Sequence, residues 1–435
     1  MSYNIAYSGT IDNSCIGLNV RVIDGGVNML TGLSGMTLAP LSGSDTALAP
    51  IKIVGLSDQI ELHGNVEVMI NNSQFRTGTL NASTDINPIS TSFPLLRAAI
   101  SNTQAGLSNT IAVCVGDSTT GGVNSNGGLL FNSRTTAYPS AFAGFVSSQI
   151  HSARASSVNG NQALNLTDYV SYNPEVSFAN PANWSLDGST FGGNLFRANA
   201  TNSRMIWTPT GTTDTFEFLY PIVPGIGTIS VYFNGSATPV ETFSAAGTLG
   251  LGKKTYTVPS GTNSIEIART AGGVIFVASL TAYNSAQKQV LIFNGGLPSG
   301  TAASIASNGA PYEGLGMITA LQPDMTFIVV GLNDFTPDTP QAVFEAAYGS
   351  LVDAGLVTGD VVAVLPNDIN HVNQAKFNGY IANVAAAKGI ALMDMRTALG
   401  TLAQATANGY MQDPVHPNNI GYSLEAQYLC DMITS

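Results

Sequence analysis

The stretch Ile111-Ala112-Val113-Cys114-Val115, followed at once by Gly116-Asp117-Ser118-Thr119-Thr120-Gly121-Gly122, decides how the chain reads. An unbroken apolar run closed by glycine predicts a buried strand, because only a strand covered on both faces dispenses with polar alternation. In α/β folds the chemistry collects at the carboxyl ends of such strands, which is where Ser118 falls. The same tripeptide also suits an ordinary strand-to-helix turn, with Asp117 or Ser118 capping the helix. The rest of the chain has to separate the two readings.

Further strands are expected at Val290–Phe293, Phe327–Val330, Val361–Leu365 and Ile390–Met393, with helices at Tyr138–His151, Gln341–Ala354, Gln374–Lys388 and Asn419–Met432. This alternation predicts an α/β domain: a mostly parallel sheet covered on both faces, three layers with a flavodoxin-like strand order. One connection breaks the rhythm. Between the helix ending near Ala155 and the strand at Val290, short alternating runs such as Thr215–Tyr220, Thr228–Phe233 and Ser264–Ala268 are separated by Gly, Pro and Asn, with no convincing helix. Runs of this kind predict an inserted antiparallel β-sandwich, jelly-roll-like, since a structureless loop of that length is rare in a compact domain. Before residue 101, pieces such as Ile51–Val54 and Val66–Ile70 alternate with Gly, Ser and Asn and predict a β-rich region for attachment or oligomerisation. The expected division is 1–100 for that region, 101–157 and 286–435 for the α/β domain, and 158–285 for the insert.

Composition excludes some partners. At 435 residues, with 44% hydrophobic residues, the chain can bury two or three cores. A formal charge of −12 argues against nucleic acid and against anionic membrane surfaces. The 3 cysteines (Cys15, Cys114, Cys430) are too scattered for a disulfide framework or a zinc site, so no metal is expected, and Cys114 reads as a small buried hydrophobe. No signal peptide is visible at the N-terminus and no apolar run reaches the length of a membrane span.

Two polar signatures follow strands or precede the last helix: Gly331-Leu332-Asn333-Asp334 and Asp413-Pro414-Val415-His416. Together with Ser118 and the glycine-rich Asn294–Gly300 they supply what acyl transfer needs. A serine hydroxyl requires a base, for which histidine is suited, and the base requires a carboxylate to fix its tautomer. Ser118, His416 and Asp413 fill these roles. Candidate donors to an oxyanion are the backbone N–H of Ser118, that of Gly300 and the side-chain amide of Asn333. Of the 4 histidines, His63 and His151 read as solvated or capping residues, and His371 is the rival base. A substrate-contacting role is open to Asp334 and His371. For Trp184 and Trp207, both in the insert, a sugar-binding platform competes with a place in a sandwich core.

These blocks resemble the SGNH (GDSL-type) hydrolase family, whose eponymous Ser, Gly, Asn and His correspond to Ser118, Gly300, Asn333 and His416, with Thr119 where the usual motif has leucine. Gly300 rather than Gly296 is a choice, because the second block carries an extra residue. The resemblance covers roughly residues 108–155 and 286–435. It implies a serine esterase working through an acyl-enzyme without a cofactor. By analogy with family members bearing β-rich appendages, the implied type is a carbohydrate O-acetylesterase acting on an acetylated polysaccharide such as capsule or O-antigen. The alternatives are a lipid or thioester hydrolase of the same family, or a catalytically silent glycan-binding module. The chain also resembles phage tail-spike or tail-fibre proteins, which implies an extracellular or virion-associated location and a trimer. A cytoplasmic location stays open.

Overall fold

In the computed structural model of the chain, residues 90–435 are described apart from 91, 128–132, 156, 160–164 and 202, and of residues 1–89 eight short strands are described. The chain divides into two compact units, Met1–Ile86 and Asn87–Ser435. In the first, Asn19–Asp24, Val27–Gly32, Glu67–Ile70 and Ser73–Arg76 form an antiparallel four-stranded sheet. Tyr3–Ala6 pairs in parallel with Ala47–Pro50. The run 51–54, Cys15 and His63 lie outside the described residues.

The second unit opens with helix α1 (Pro94–Gln104), which starts ahead of the boundary at residue 101 expected from sequence. Strand β1 (Thr110–Gly116) follows, then a single helical turn α2 (Ser118–Gly121) and helix α3 (Tyr138–Gln149). After the insert come β2 (Val290–Gly296), α4 (Ala302–Ile305), α5 (Gly314–Leu321) and β3 (Met325–Val329). The chain ends with α6 (Gln341–Leu356), β4 (Asp360–Leu365), α7 (Gln374–Lys388), β5 (Ala391–Asp394) and α8 (Asn419–Thr434). The strands pair in parallel in the order β2-β1-β3-β4-β5, the flavodoxin-like order, with Ala153–Arg154 added as a short edge beyond β2.

β1 explains the three layers. Val113 and Val115 point into one core with Phe344 and Leu351 of α6 and Phe377 and Ile381 of α7. Ala112 and Cys114 point into the opposite core with Ile100 of α1, Phe142 and Val146 of α3, and Leu429 of α8. Successive side chains of a strand face opposite ways, so a strand with a helix layer on each side needs apolar residues throughout.

The long connection folds as antiparallel sheets. Ser157–Asn159, Ser279–Tyr283, Thr213–Ile222 and Gly250–Gly261 make one. Val176–Ala179, Arg204–Trp207, Ile265–Ala271, Thr228–Phe233 and Glu241–Ser244 make a second. Residues two apart (Phe216 and Phe218, Ile229 and Val231, Ile265 and Ile267) fill a shared core, the period expected of sheets with one buried face. The stretch does contain a helix, Leu166–Tyr172. Asn165 caps it and Tyr169 and Tyr172 bury against the sandwich, so tertiary packing supports a helix too short to announce itself by periodicity. A hairpin of Trp184–Thr190 and Gly193–Ala198 reaches back to the parallel sheet. There Phe191 joins the core beside β1 and lies where a side chain on Gly295 would stand. An ion pair between Arg134 and Glu175 (3.1 Å) also ties the insert to the segment before α3.

A carboxyl group lies inside the layer formed by α8. Glu425 is 2% exposed. Burial, reinforced by nearby Asp117, pushes its pKa up to about 8. The unfolded chain releases this proton near the ordinary value of about 4.3. The native state therefore holds a proton the unfolded state has lost, and its stability is fully present below that value and declines as pH rises toward about 8. We predict that Glu425→Gln raises the melting temperature by a few degrees more near pH 8 than near pH 5, at about 2–4 °C per kcal/mol for a domain of this size or somewhat smaller. Thermal unfolding at the two pH values reads this out, and an equal shift at both would contradict it.

Candidate active site

Gly116 sets the turn at the end of β1. A methyl group there would run into the Thr120 side chain and the Val329 carbonyl of β3, so only glycine lets the chain leave the sheet this sharply. Asp117 caps α2, its Oδ1 accepting the N–H and the hydroxyl of Thr119, each at 3.0 Å. The cap that sequence offered as an alternative to chemistry is thus present alongside the serine it positions. Burial pushes the Asp117 carboxyl up to about 6, against the opposing pull of the Thr119 bonds. Ser118 takes the first helical position, where its N–H has no acceptor within the helix.

The loop before α8 brings the partners. Asp413 Oδ1 accepts the N–H of Val415 at 2.7 Å and of His416 at 2.8 Å. Its Oδ2 accepts the Asn124 side-chain amide at 2.6 Å and lies 2.8 Å from His416 Nδ1. Partial burial works to raise the Asp413 pKa, but these hydrogen bonds outweigh it and hold the value at about 2. An ionised carboxylate only accepts, so Nδ1 of His416 carries the ring proton. Nε2 is then the acceptor, and Ser118 Oγ lies 2.9 Å from it. That distance is within the reach required for proton transfer from a serine.

Several bonds fix this loop. Gln412 N–H donates to the His416 carbonyl at 2.9 Å, and Asn367 donates from its side chain to the Val415 carbonyl at 3.0 Å. Asn418 caps α8, accepting the N–H groups of Ile420 and Gly421. Asn124 and Asn367 were not singled out in the sequence. Each belongs to no motif, and its partner lies far away along the chain. Asn124 adopts φ +61°, a left-handed conformation asparagine tolerates.

On the other side of β1, the turn after β3 holds Asn333, which donates to the Gly300 carbonyl at 3.1 Å and has a second amide hydrogen to offer. Gly300 departs from expectation. Its N–H donates to the Leu297 carbonyl at 2.8 Å, closing a turn in which Ser299 has φ +61°, so it is not a free oxyanion donor in this conformation. The N–H of Gly296 is likewise bound, to Asn294 Oδ1 at 2.9 Å. Asp334 is buried, and its two oxygens accept the Ala302 N–H and the Thr339 hydroxyl at 2.9 Å each. It caps α4 instead of facing a substrate.

Trp184 and Trp207 are also placed differently from a sugar platform. They are 4% and 0% exposed, packed in the sandwich core, with Trp207 Nε1 donating to Glu175. The Thr215–Tyr220 and Ile265–Ala268 runs leave an inner face that large aromatics fill, and that is where both rings go. His371 accepts the Asn373 N–H at 3.2 Å and lies against the Phe335 ring, on the same sheet edge but without a hydrogen bond to Ser118 or Asp413. His151 bonds the Lys288 carbonyl. Cys114 and Cys430 are buried free thiols, and burial pushes Cys114 up to about 12. Among the described residues, no three His, Cys, Asp or Glu are grouped to hold a metal ion, and no helix is long and apolar enough to cross a membrane.

Residues 276–424 match the GDSL-like Lipase/Acylhydrolase family. No curated protein sequence matches the chain. Among solved structures, a peptidoglycan O-acetylesterase is similar over 80% of this chain and 96% of its own, at 14% identity and a TM-score of 0.58, and so shares the fold. An active-site mutant of a family two carbohydrate esterase from Clostridium thermocellum (12% identity, 55% of this chain and 93% of that one, TM-score 0.27) is also similar. So is a lipolytic protein of the G-D-S-L family from Veillonella parvula (18% identity, 33% and 81%, TM-score 0.25). The matched segment runs from the last strands of the insert through β2 to the start of α8, so the likeness to the GDSL-like lipases and acylhydrolases covers the second part of the α/β domain.

Proposed function

We propose that this chain is a serine esterase that removes O-acetyl groups from a polysaccharide. The reading is carried by one observation, the continuous line of hydrogen bonds from Ser118 Oγ through the His416 ring to Asp413, 2.9 and 2.8 Å long. In the proposed mechanism Ser118 Oγ attacks the ester carbonyl while its proton passes to His416 Nε2. The oxyanion is met by the Ser118 N–H and the Asn333 amide. The imidazolium, held by Asp413, returns its proton to the departing sugar hydroxyl, and water releases acetate from the acyl-enzyme by the same route. None of these steps needs a cofactor. Support for a glycan ester comes from the β-sandwich inserted beside the site and from the shared fold with a peptidoglycan O-acetylesterase.

The test is acetate release from a panel of acetylated bacterial and plant polysaccharides, alongside p-nitrophenyl esters of short and long acids. Ser118→Ala is expected to lower kcat on p-nitrophenyl acetate by at least about 10³-fold. Equal rates for wild type and Ser118→Ala would end the esterase reading, and a preference for long-chain esters would favour a lipid hydrolase instead. Removing one oxyanion donor, Asn333→Ala, should lower kcat by about 10²–10³-fold with little change in KM.

Asn124 acts in this scheme as a positioning residue, since it touches Asp413 and not the reacting atoms. Loss of a hydrogen bond to a charged group costs about 1.5–3 kcal/mol. Asn124→Ala should therefore lower kcat by roughly tenfold or more. It should also raise the pH at which Asp413 protonates, read from its carboxyl carbon shift in an NMR titration. An unchanged kcat together with an unchanged Asp413 titration would remove Asn124 from the mechanism.

A further inference from the structure

A cavity of about 440 Å³ opens between the hairpin of the insert and the loop that follows β2. Phe191, Gly193 and Asn194 of the hairpin form one wall, and Leu297, Gly300 and Ala303 belong to the other. Both walls are held against the sheet. Phe191 fills the space above Gly295, and the Thr190 hydroxyl donates to the Tyr312 carbonyl at 2.7 Å. The β2–α4 loop in turn sits against the turn that carries Ser118, with Pro298 beside Gly121. Gly300 links cavity and site directly: it lines the cavity, and its carbonyl holds the Asn333 amide.

We infer that this cavity is a subsite for an uncharged sugar ring of the acetylated glycan, built jointly by the insert and the α/β domain. The inference rests on the esterase reading and deepens it by naming the substrate class. Among the described residues, none that lines the cavity is ionisable. A uronate or phosphate seated there would give up water without gaining a cation, an unfavourable exchange in a chain of formal charge −12. The lining instead mixes the apolar surface of Phe191 and Leu297 with the Asn194 amide, the exposed hydroxyl of Ser299 and bare glycine backbone. Apolar walls carrying a few fixed polar groups suit a pyranose, which offers C–H faces and neutral hydroxyls. Its volume lies within the range of about 300–1,000 Å³ usual for small-molecule sites. The insert's contribution to specificity is then local, through one hairpin tip, while its buried tryptophans hold the sandwich together.

Ala303 is exposed and lines the cavity without taking part in the hydrogen bonds around Ser118, so Ala303→Trp fills the space from a position that tolerates bulk. Kinetics would be measured for wild type and Ala303→Trp on three kinds of substrate. These are p-nitrophenyl acetate, a set of O-acetylated neutral oligosaccharides (gluco-, xylo- and N-acetylhexosamine series), and an O-acetylated oligogalacturonide. The expected result is a wild-type kcat/KM that is highest on a neutral oligosaccharide. The variant should then raise KM for that substrate by about tenfold or more with kcat and the p-nitrophenyl acetate rate retained, the pattern of lost substrate binding. Retained p-nitrophenyl acetate activity also shows that the variant is folded. An unchanged KM in Ala303→Trp, or a wild type that prefers the anionic oligosaccharide or no neutral one, would overturn the subsite. Failure of wild type on p-nitrophenyl acetate as well would instead defeat the esterase reading beneath it.

Discussion

The arrangement at the sheet edge depends on keeping one carboxylate ionised. Asp413 accepts four hydrogen bonds, from the N–H groups of Val415 and His416, the His416 ring and the Asn124 amide. With that charge in place the proton on the imidazole must sit at Nδ1, and the lone pair at Nε2 must face Ser118. A neutral Asp413 would leave the ring free to take either tautomer. The Asp-x-x-His spacing has a physical reason: it lets the carboxylate cap its own loop through two backbone N–H groups while still reaching the ring three residues on. Two of the four donors therefore come with the motif itself, and the Asn124 amide couples the loop to the turn that carries the serine.

The same economy governs the other half of the site. β1 and β2 run side by side until Gly116 pairs with Gly296, and a side chain on Gly296 would collide with the backbone of Gly121. Two adjacent strands thus end in glycines because the turns that leave them must touch. The insert lies between these two strands in sequence. Its hairpin is held by Phe191 over Gly295, one residue from that contact. A domain tethered only by its ends would move as a unit, whereas this one is pinned at the level of the serine. That is why its hairpin can wall a cavity next to Gly300.

How much of this was legible in the sequence follows from which signals are local. Strand β1 and its neighbours were visible because burial on both faces produces apolar runs; their alternation with helices pointed to a parallel sheet, and the flavodoxin-like order expected for it is the one observed. Ser118, Asn333, Asp413 and His416 were visible because each closes or follows an element, and the structure brings Ser118, Asp413 and His416 into one line. Gly300 was named for its N–H, but with Ser299 in the left-handed region that N–H closes a turn onto the Leu297 carbonyl, and it is the Gly300 carbonyl that meets the Asn333 amide. Asp334 was given a ligand's role and instead caps α4, because a carboxylate next to a helix start finds free N–H groups closer than any substrate. Asn124 and Asn367 had no signature, as each acts on a backbone or carboxylate brought near only by folding. α1 was missed through its position beside a region that reads as β throughout.

Three carboxyl groups of the α/β domain show what controls ionisation here. Glu425, buried in the helix layer, is pushed to about 8. Asp117, equally buried but accepting two bonds from Thr119, is pushed only to about 6. Asp413, part-exposed with four donors, is held at about 2. The order follows solvation and donor number, while the chemistry of the group is the same throughout. It also assigns the charge. With Glu425 neutral over most of the range in which Asp413 is charged, Asp413 is the carboxylate available to steady a proton on His416. Asp117 lies between, since burial raises it and the two Thr119 bonds pull it back, with smaller opposing contributions from His416 and Asp334. Glu425 thus has a cost in folding stability above the unfolded carboxyl pKa, but it places no second full negative charge beside Asp117 at neutral pH. An ionised Glu425 would stand against Asp117, whereas burial keeps it neutral at neutral pH, and Asp413 is the carboxylate hydrogen-bonded to the ring.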